Sequence, residues 1–329
     1  MPEGLQAISV VVPVFKSAGS LTNLVRRLAT VLQPVGEFEI ILVDDGSLGD
    51  TWKVVQDLSR TWESVHGLRL GRNYGQHSAL VAGVRAARLP ITVTIDDDLQ
   101  NPPEEIPRLV SHLLHSNLDV VYGVPEETKQ SLSRRIAGRG VRRVLSSGLG
   151  ADAASEMSSF RVFRTASREA FNADLGVNVS LDALLTWGNS RFGSIKVQHN
   201  AREHGRSNYS LGKLLRFSVD TITGYSAVPL QIASVLGFLT SVFGFGVLIY
   251  VVVVPIINGQ SVQGFPFLAS TIAIFAGVQL LTLGVLGEYL ARMHFRIMRK
   301  PTYFIAEMTQ PNAGHRSQFD ATHVTEDPR

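Results

Sequence analysis

The chain has 329 residues, 45% of them hydrophobic, with a formal net charge of +3 and no cysteine. That length suits one large domain or two smaller ones, and so small a net charge gives no ground for nucleic-acid binding. The absence of cysteine excludes disulfides, thiolate metal sites and thiol nucleophiles.

Strand-like and helix-like stretches alternate through the first half. "ISVVVPVF" (8–15) has the length and β-branched character of a buried parallel strand. Residues 20–33 follow a helical period, with Leu21, Leu24, Val25, Leu28 and Leu32 on one face. A second strand, "FEIILV" (38–43), ends in "DDGS". A helix is expected over about 50–62, a strand at 65–70, and a helix at 75–87 entered at Gly75. "ITVTI" (91–95) reads as a fourth strand, Pro103 suits the first turn of the next helix, and "DVVYGV" (119–124) reads as a fifth strand. This alternation predicts an α/β fold with a mostly parallel sheet covered on both faces. Ligands bind such sheets at the carboxyl ends of the strands, where "VDDGS" and "IDDDLQ" both fall.

The second half changes character. No Asp, Glu, Lys or Arg lies between Asp220 and Glu288. Two apolar runs, about 228–254 and 265–290, are each long enough for a membrane-spanning helix, with Gly237, Gly244 and Gly246 as small packing positions in the first. Lys213 and Arg216 precede the runs, and Arg292, Arg296, Arg299 and Lys300 follow them. By the positive-inside rule both outer ends are cytoplasmic. A buried soluble hairpin is the competing interpretation, disfavoured by two uncharged runs of this length. The N-terminus has no basic segment followed by an apolar one, so no secretory signal is expected and the front domain is placed in the cytoplasm. The expected organisation is a catalytic domain over 1–209, an amphipathic juxtamembrane segment over 210–227, a transmembrane hairpin over 228–292, and a basic, then flexible, tail over 293–329. Leu211, Leu214, Leu215, Val219 and Ile222 share the apolar face of the juxtamembrane segment, which suits either a membrane surface or an ordinary core.

Asp96, Asp97 and Asp98 are consecutive carboxylates whose repulsion calls for positive charge. Mg²⁺ or Mn²⁺ supplies it and takes oxygen ligands, usually one or two carboxylates plus substrate phosphates. In a strand-like segment alternate side chains share a face, which would direct Asp96, Asp98 and Gln100 one way and Asp97 the other. A solvated acidic turn is the alternative for the triplet alone. The acidic pair Asp44–Asp45 at a second strand end favours the metal. No glycine-rich dinucleotide fingerprint or P-loop is present, which counts against dehydrogenases and P-loop ATPases. His77, His199 and His204 have no zincin spacing and are left without a role.

Together, "VVPVF", "ILVDDGS", "GRNYGQHSALVAG" and "IDDDLQNPPEEIPRLV", followed by two apolar runs, resemble the polyprenyl-phosphate glycosyltransferases of glycosyltransferase family 2. The resemblance implies a GT-A fold, a nucleotide diphosphate sugar donor, a polyprenyl (undecaprenyl) phosphate acceptor, Mg²⁺ or Mn²⁺ as cofactor, and a place in the cytoplasmic membrane as a homo-oligomer, a tetramer. It implies that Pro13 and Phe15 line the nucleotide pocket, with Val43 and Asp45 at the base and ribose. Asp96 and Asp97 are placed at the donor, and Asp96, Asp98 and Gln100 at the metal. Arg134 is matched to an arginine at the phosphates and Arg202 to a cation near the donor or acceptor phosphate, so that Asp98 and Arg134 are the expected catalytic pair. Three positions depart from the family pattern. Phe15-Lys16-Ser17 stands where the family usually has Tyr-Asn-Glu. Pro125 and Asn208 stand where cations are usual, with Lys129 and Arg135 nearby to replace them. These departures leave a non-catalytic membrane scaffold as the rival reading. A processive polysaccharide synthase is disfavoured by the missing Gln-x-x-Arg-Trp motif.

Overall fold

A computed structural model describes residues 7–126, 157–171, 180–200, 228–258, 264–297 and 301–309. The chain divides into two compact units, one of Met1–Asn208 with Pro301–Arg329 and one of Tyr209–Lys300.

The first unit is built on an eight-stranded sheet in the order β7-β5-β6-β4-β1-β2-β3-β8. In chain order the strands are β1 (Ile8–Val14), β2 (Phe38–Asp44), β3 (Val65–Leu70), β4 (Ile91–Thr94), β5 (Val120–Pro125), β6 (Arg161–Arg164), β7 (Phe192–Val197) and β8 (Ile305–Met308). The helices are α1 (Ala18–Leu32), α2 (Thr51–Thr61), α3 (Gln76–Ala86), α4 (Ile106–His115) and α5 (Leu181–Gly188). β1 pairs in parallel with both β2 and β4, Val10 lying opposite Ile40 on one side and Val93 on the other. The chain therefore reverses its direction of travel across the sheet at β1, which opens a crevice at the carboxyl end of β1 and β4.

All seven residues of β1 are buried, as a central strand covered on both faces requires. The period of two then sorts the core. Val10, Val12, Ile40 and Leu42 pack with Leu21, Leu24, Val25, Leu28 and Leu32 of α1 and with residues of α2 and α4. Val11, Ile41 and Val43 face the other way, onto α3 and α5. The five α1 side chains are those that the helical period predicts. Burying each contributes about 1.5–3 kcal/mol, and truncating Leu24 to alanine would cost about 2–5 kcal/mol. Gly83 lets α3 lie against the sheet, because a Cβ there would run into the side chain of Val11 and crowd Val43.

Three strands were not anticipated. β6 inserts antiparallel between β4 and β5, and β7 adds in parallel beyond β5. β8 comes from the segment expected to be a flexible tail: residues 305–308 pair antiparallel with β3 and close that sheet edge. Glu307 fastens it, accepting from Trp52 Nε1 at 2.8 Å and from Arg69 Nη1 at 2.7 Å. Gly67 N also donates to Thr309 Oγ1 at 2.8 Å.

The second unit holds α6 (Val228–Asn258) and α7 (Phe265–Ile297), 31 and 33 residues long. At 1.5 Å per residue each reaches about 45–50 Å. Large apolar side chains such as Phe238, Phe243, Phe245, Leu280 and Leu290 are exposed on them. Among the described residues one stretch, Ile274–Ala291 of α7, is long and apolar enough to cross a membrane; the apolar stretch of α6, Ile232–Val247, is shorter. Of the three glycines read as packing positions, Gly244 abuts the Phe275 ring, whereas a Cβ at Gly237 or Gly246 would meet nothing. The juxtamembrane segment 210–227 lies outside the described residues.

Candidate active site

Four segments converge on the crevice beside β1. Pro13, Val14 and Phe15 leave β1, Asp45 leaves β2, Asn73, Gly75 and Gln76 enter α3, and Asp96, Asp97 and Asp98 leave β4; together they line a cleft of about 250 Å³. Pro13, Phe15, Asp45 and all three consecutive aspartates, singled out in the sequence, therefore line one cleft. Val43 is not among the lining residues. It is fully buried, because the strand period that brings Asp44 to the α1–α2 face turns Val43 under α3.

Asp44 and Asp45 have different tasks. Asp45 accepts the backbone N–H groups of Tyr74 at 2.7 Å and Gly75 at 2.9 Å. Its carboxylate thereby holds the loop that enters α3, where a negative charge complements the helix N-terminus. Burial nevertheless pushes its pKa up, the two backbone N–H groups opposing and Asp44 assisting. Gly75 has φ +94° at this entry, a conformation that glycine adopts at low cost. Asp44 points away from the cleft, accepts Ser47 N at 3.1 Å, and has Oδ2 3.7 Å from Arg69 Nε. Gly46 joins the two sides: its φ is +64°, and a Cβ there would strike the backbone of Arg72 and Asn73.

The triplet does not continue β4. The strand stops at Thr94 and the chain turns, with Leu99 at φ +60°. The expected alternation of side chains therefore fails, and Asp96, Asp97 and Asp98 all reach the cleft. Asp96 accepts from Gln76 Nε2 and from Ser159 Oγ, both at 2.6 Å. Asp97 accepts from the Ser17 hydroxyl and from Phe15 N at 3.3 Å. Burial raises the Asp97 pKa to about 6; Ser17 and Phe15 oppose this, and Asp96 and Asp98 add to it. Asp98 Oδ1 accepts Gln100 N at 3.2 Å. Gln100 does not line the cleft. Its backbone serves the loop instead, since its carbonyl accepts Asn200 N at 2.8 Å.

Donor chemistry tests whether a divalent cation suits this place. The carboxylates of Asp96 and Asp98 are hard oxygen donors with no thiolate or imidazole beside them in the cleft, a set that suits Mg²⁺ or Mn²⁺. Among the described residues no three His, Asp or Glu side chains form an all-protein cage. Mg²⁺ commonly takes one or two carboxylates and completes its sphere with substrate phosphates and water, so the donor set fits such a shared ion.

A second cavity of about 180 Å³ adjoins the cleft through the shared Gln76; His77, Met157, Ser158, Ser159, Arg161 and Asp182 complete its lining. Arg161 is 1% exposed and ion-pairs with Asp182, which also accepts the Tyr122 hydroxyl at 3.2 Å. Burial, then the Asp182 charge, raises the Tyr122 pKa and keeps it a phenol. His77 Nδ1 accepts Leu181 N at 3.3 Å, and burial lowers its pKa. Its proton is thereby assigned to Nε2. Sequence reading missed this cavity because Arg161 and Asp182 acquire meaning only when β6 and α5 are brought together. Gln76 was more accessible, as the first residue of a predicted helix at a strand's carboxyl edge. Arg134, Arg202, Lys129, Arg135 and Asn208 lie outside the described residues.

A mostly parallel sheet with an acidic crevice at its carboxyl edge defines a GT-A-like α/β fold. Residues 9–169 match the family described as Glycosyl transferase family 2. The undecaprenyl-phosphate 4-deoxy-4-formamido-L-arabinose transferase of Edwardsiella ictaluri (strain 93-146) is 31% identical over 318 residues, spanning 95% of this chain and 98% of that protein. Among solved structures, glucosyl-3-phosphoglycerate synthase of Mycobacterium tuberculosis with Mn²⁺, UDP-glucose and phosphoglyceric acid aligns with a TM-score of 0.52 at 17% identity. That match covers 67% of this chain and 78% of the other. The same enzyme with Mg²⁺ and UDP aligns with a TM-score of 0.50 at 18% identity, over 67% and 78%. These structures share the fold. The chain belongs to glycosyl transferase family 2, among its polyprenyl-phosphate glycosyltransferases.

Proposed function

We propose that this glycosyltransferase moves a sugar from a nucleotide diphosphate sugar to a polyprenyl phosphate, of the undecaprenyl type, at the cytoplasmic face of a membrane. The observation that carries the reading is the gathering of Asp96, Asp97 and Asp98 with Pro13, Phe15 and Asp45 in one cleft at the β1–β4 crevice. Phe15 and Pro13 offer the surface for the base, and Asp45 secures the loop beside it. Asp96 and Asp98 would hold a divalent cation together with the donor diphosphate. When bound, that cation supplies Lewis acidity to the leaving diphosphate.

The reaction balances without a strong base. An ionised oxygen of the lipid phosphate forms the new bond to the anomeric carbon, with inversion. The old bond to the diphosphate breaks, and its electron pair leaves on the diphosphate oxygen. The sugar of a donor held in the cleft extends past Gln76 into the second cavity, where Ser158, Ser159 and Asp182 offer hydrogen bonds to hydroxyl groups. By the family resemblance Arg134 and Arg202 add positive charge at the phosphates, and Val43 backs the pocket from the core. The apolar helix α7, with α6, anchors the chain in the bilayer that dissolves the acceptor, and the product is a lipid-linked sugar for envelope glycan or lipid modification.

The test is a panel of nucleotide sugars incubated with the purified full-length protein, undecaprenyl phosphate and Mg²⁺, read by mass spectrometry. A sugar-linked polyprenyl phosphate from at least one donor, lost in Asp98→Asn, is expected. Absence of product from every donor would favour a non-catalytic scaffold.

A further inference from the structure

The loop that leads from β3 into α3 is fastened from two sides. On the inner side Asp45 holds the N–H groups of Tyr74 and Gly75, and Gly46 fits closely against Arg72 and Asn73. On the outer side the contacts come from residues 301–309. The Phe304 carbonyl accepts Gly71 N at 2.9 Å, and its ring lies 3.0 Å from where a Cβ on Gly71 would stand. Tyr303 and Ile305 pack onto the cluster that holds Leu70 and the buried face of α3. The Tyr303 ring also lies 5.7 Å from the Arg85 guanidinium of that helix. Glu307 of β8 adds a link to the end of β2. It holds Arg69, whose Nε stands 3.7 Å from Asp44 Oδ2. That oxygen is buried and has no hydrogen bond among the described residues, so it depends on a cation nearby.

Covering the bare edge of β3 is one task of β8. The contacts go further than the ladder, however, to Gly71, which opens the loop whose Asn73, Gly75 and Gln76 line the cleft. Without residues 301–309, Gly71 N loses its acceptor, Arg69 loses Glu307, and the loop keeps only its inner fastening. In the chain this segment follows directly on the unit that holds α7, which ends at Lys300. We propose that residues 301–309 are a positioning element of the donor cleft: docked on β3, they set the loop 71–76 and with it the affinity for a nucleoside diphosphate. Coupling of this kind is reciprocal, so the bound nucleotide strengthens the docking in turn. The inference rests on the nucleotide-sugar reading above and adds to it the part of the chain, remote from the ligand, on which donor binding depends.

Calorimetry and amide hydrogen exchange on the full-length protein test this with Mg²⁺ present. The probe is the tightest-binding of the uridine, guanosine, adenosine and cytidine diphosphates. Glu307→Ala combined with Thr309→Ala removes two fastenings that touch neither the loop nor the cleft, and should weaken nucleotide binding about tenfold, a usual size for coupled sites. Leu68 and Met308 lie directly opposite in the β3–β8 ladder, a spacing that suits a disulfide, and the chain has no other cysteine. Adding Leu68→Cys and Met308→Cys to that variant should restore the affinity when oxidised and not when reduced, with Glu307 still absent. In the unaltered protein, saturating nucleotide should slow exchange at 305–309 about tenfold and leave β7, at the opposite sheet edge, unchanged. Unaltered affinity in Glu307→Ala/Thr309→Ala, no recovery on oxidation, or exchange at 305–309 indifferent to nucleotide would each overturn the inference and leave the nucleotide-sugar reading intact. Failure of the unaltered protein to bind any of the four diphosphates would overturn that reading and this inference with it.

Discussion

Gln76 and Asp96 meet where the two cavities join: the Gln76 amide donates to Asp96 Oδ1 at 2.6 Å, while Ser159 holds the other oxygen at the same distance. Asp96 is thus oriented from α3 on one side and from the approach to β6 on the other. Groups that orient a metal-binding carboxylate typically account for about 10- to 100-fold in metal affinity or activity. Gln76→Ala and Ser159→Ala should each lower turnover in that range with little change in melting temperature. A parallel loss of stability in both would instead mark the contacts as structural.

The Arg161–Asp182 pair is the main buried charge of the second cavity. Removing one partner strands the other in a poorly solvated place, at a cost of about 3–5 kcal/mol. Arg161→Met should lower urea stability by that amount, and adding Asp182→Leu should recover part of the loss. A near-neutral Arg161→Met would show that the pair is dispensable to the fold.

Gly46 should be intolerant of any side chain. Its φ of +64° and the backbone of Arg72 and Asn73 both oppose a Cβ. Gly46→Ala is expected to cost about 1–3 kcal/mol and to weaken nucleotide binding, because the displaced loop carries Asn73 and Gln76. Thermal melts and nucleotide titration of that variant check both effects.

Asp97 gives the metal-free protein a pH signature. Its folded pKa is raised from 3.8 to about 6, so the folded state binds this proton more tightly than the unfolded chain does. The stability it contributes is complete below 3.8 and is lost as pH rises through about 6. Asp119 and Glu104 have the opposite sign: their pKa values are lowered by hydrogen bonds from Arg191 and Arg27, and their contributions vanish as pH falls. The clean observable is the difference between unaltered protein and Asp97→Asn in chelator. Relative to the variant, the unaltered protein should lose stability across that window as pH rises. A difference that does not vary with pH would refute the assignment.

Much of the sheet was legible because buried parallel strands are continuous β-branched runs and α1 keeps a strict helical period. The acidic ends of β2 and β4 were legible because carboxylates so close together at a sheet's carboxyl edge need a partner. What failed did so for physical reasons. A strand's alternation would group Asp96, Asp98 and Gln100 and exclude Asp97, but the chain turns after Thr94, so Asp97 joins the cleft and Gln100 leaves it. The resemblance implies Val43 at the base and ribose, but one step of strand period puts it in the core. β6 and β8 are four residues each and carry charged side chains, so they lack the β-branched run that marks the equally short β4, and their pairing depends on partners far away in the chain: β6 lies against β4 and β5, and β8 against β3.

The most direct test of the account is electron paramagnetic resonance of Mn²⁺ titrated with the purified protein, with and without a nucleoside diphosphate. The account predicts that protein and nucleotide together deplete the free Mn²⁺ signal more strongly than either alone, and that Asp98→Asn removes this extra depletion while its melting temperature stays normal. A free Mn²⁺ signal reduced no further by the two together than by nucleotide alone would contradict it.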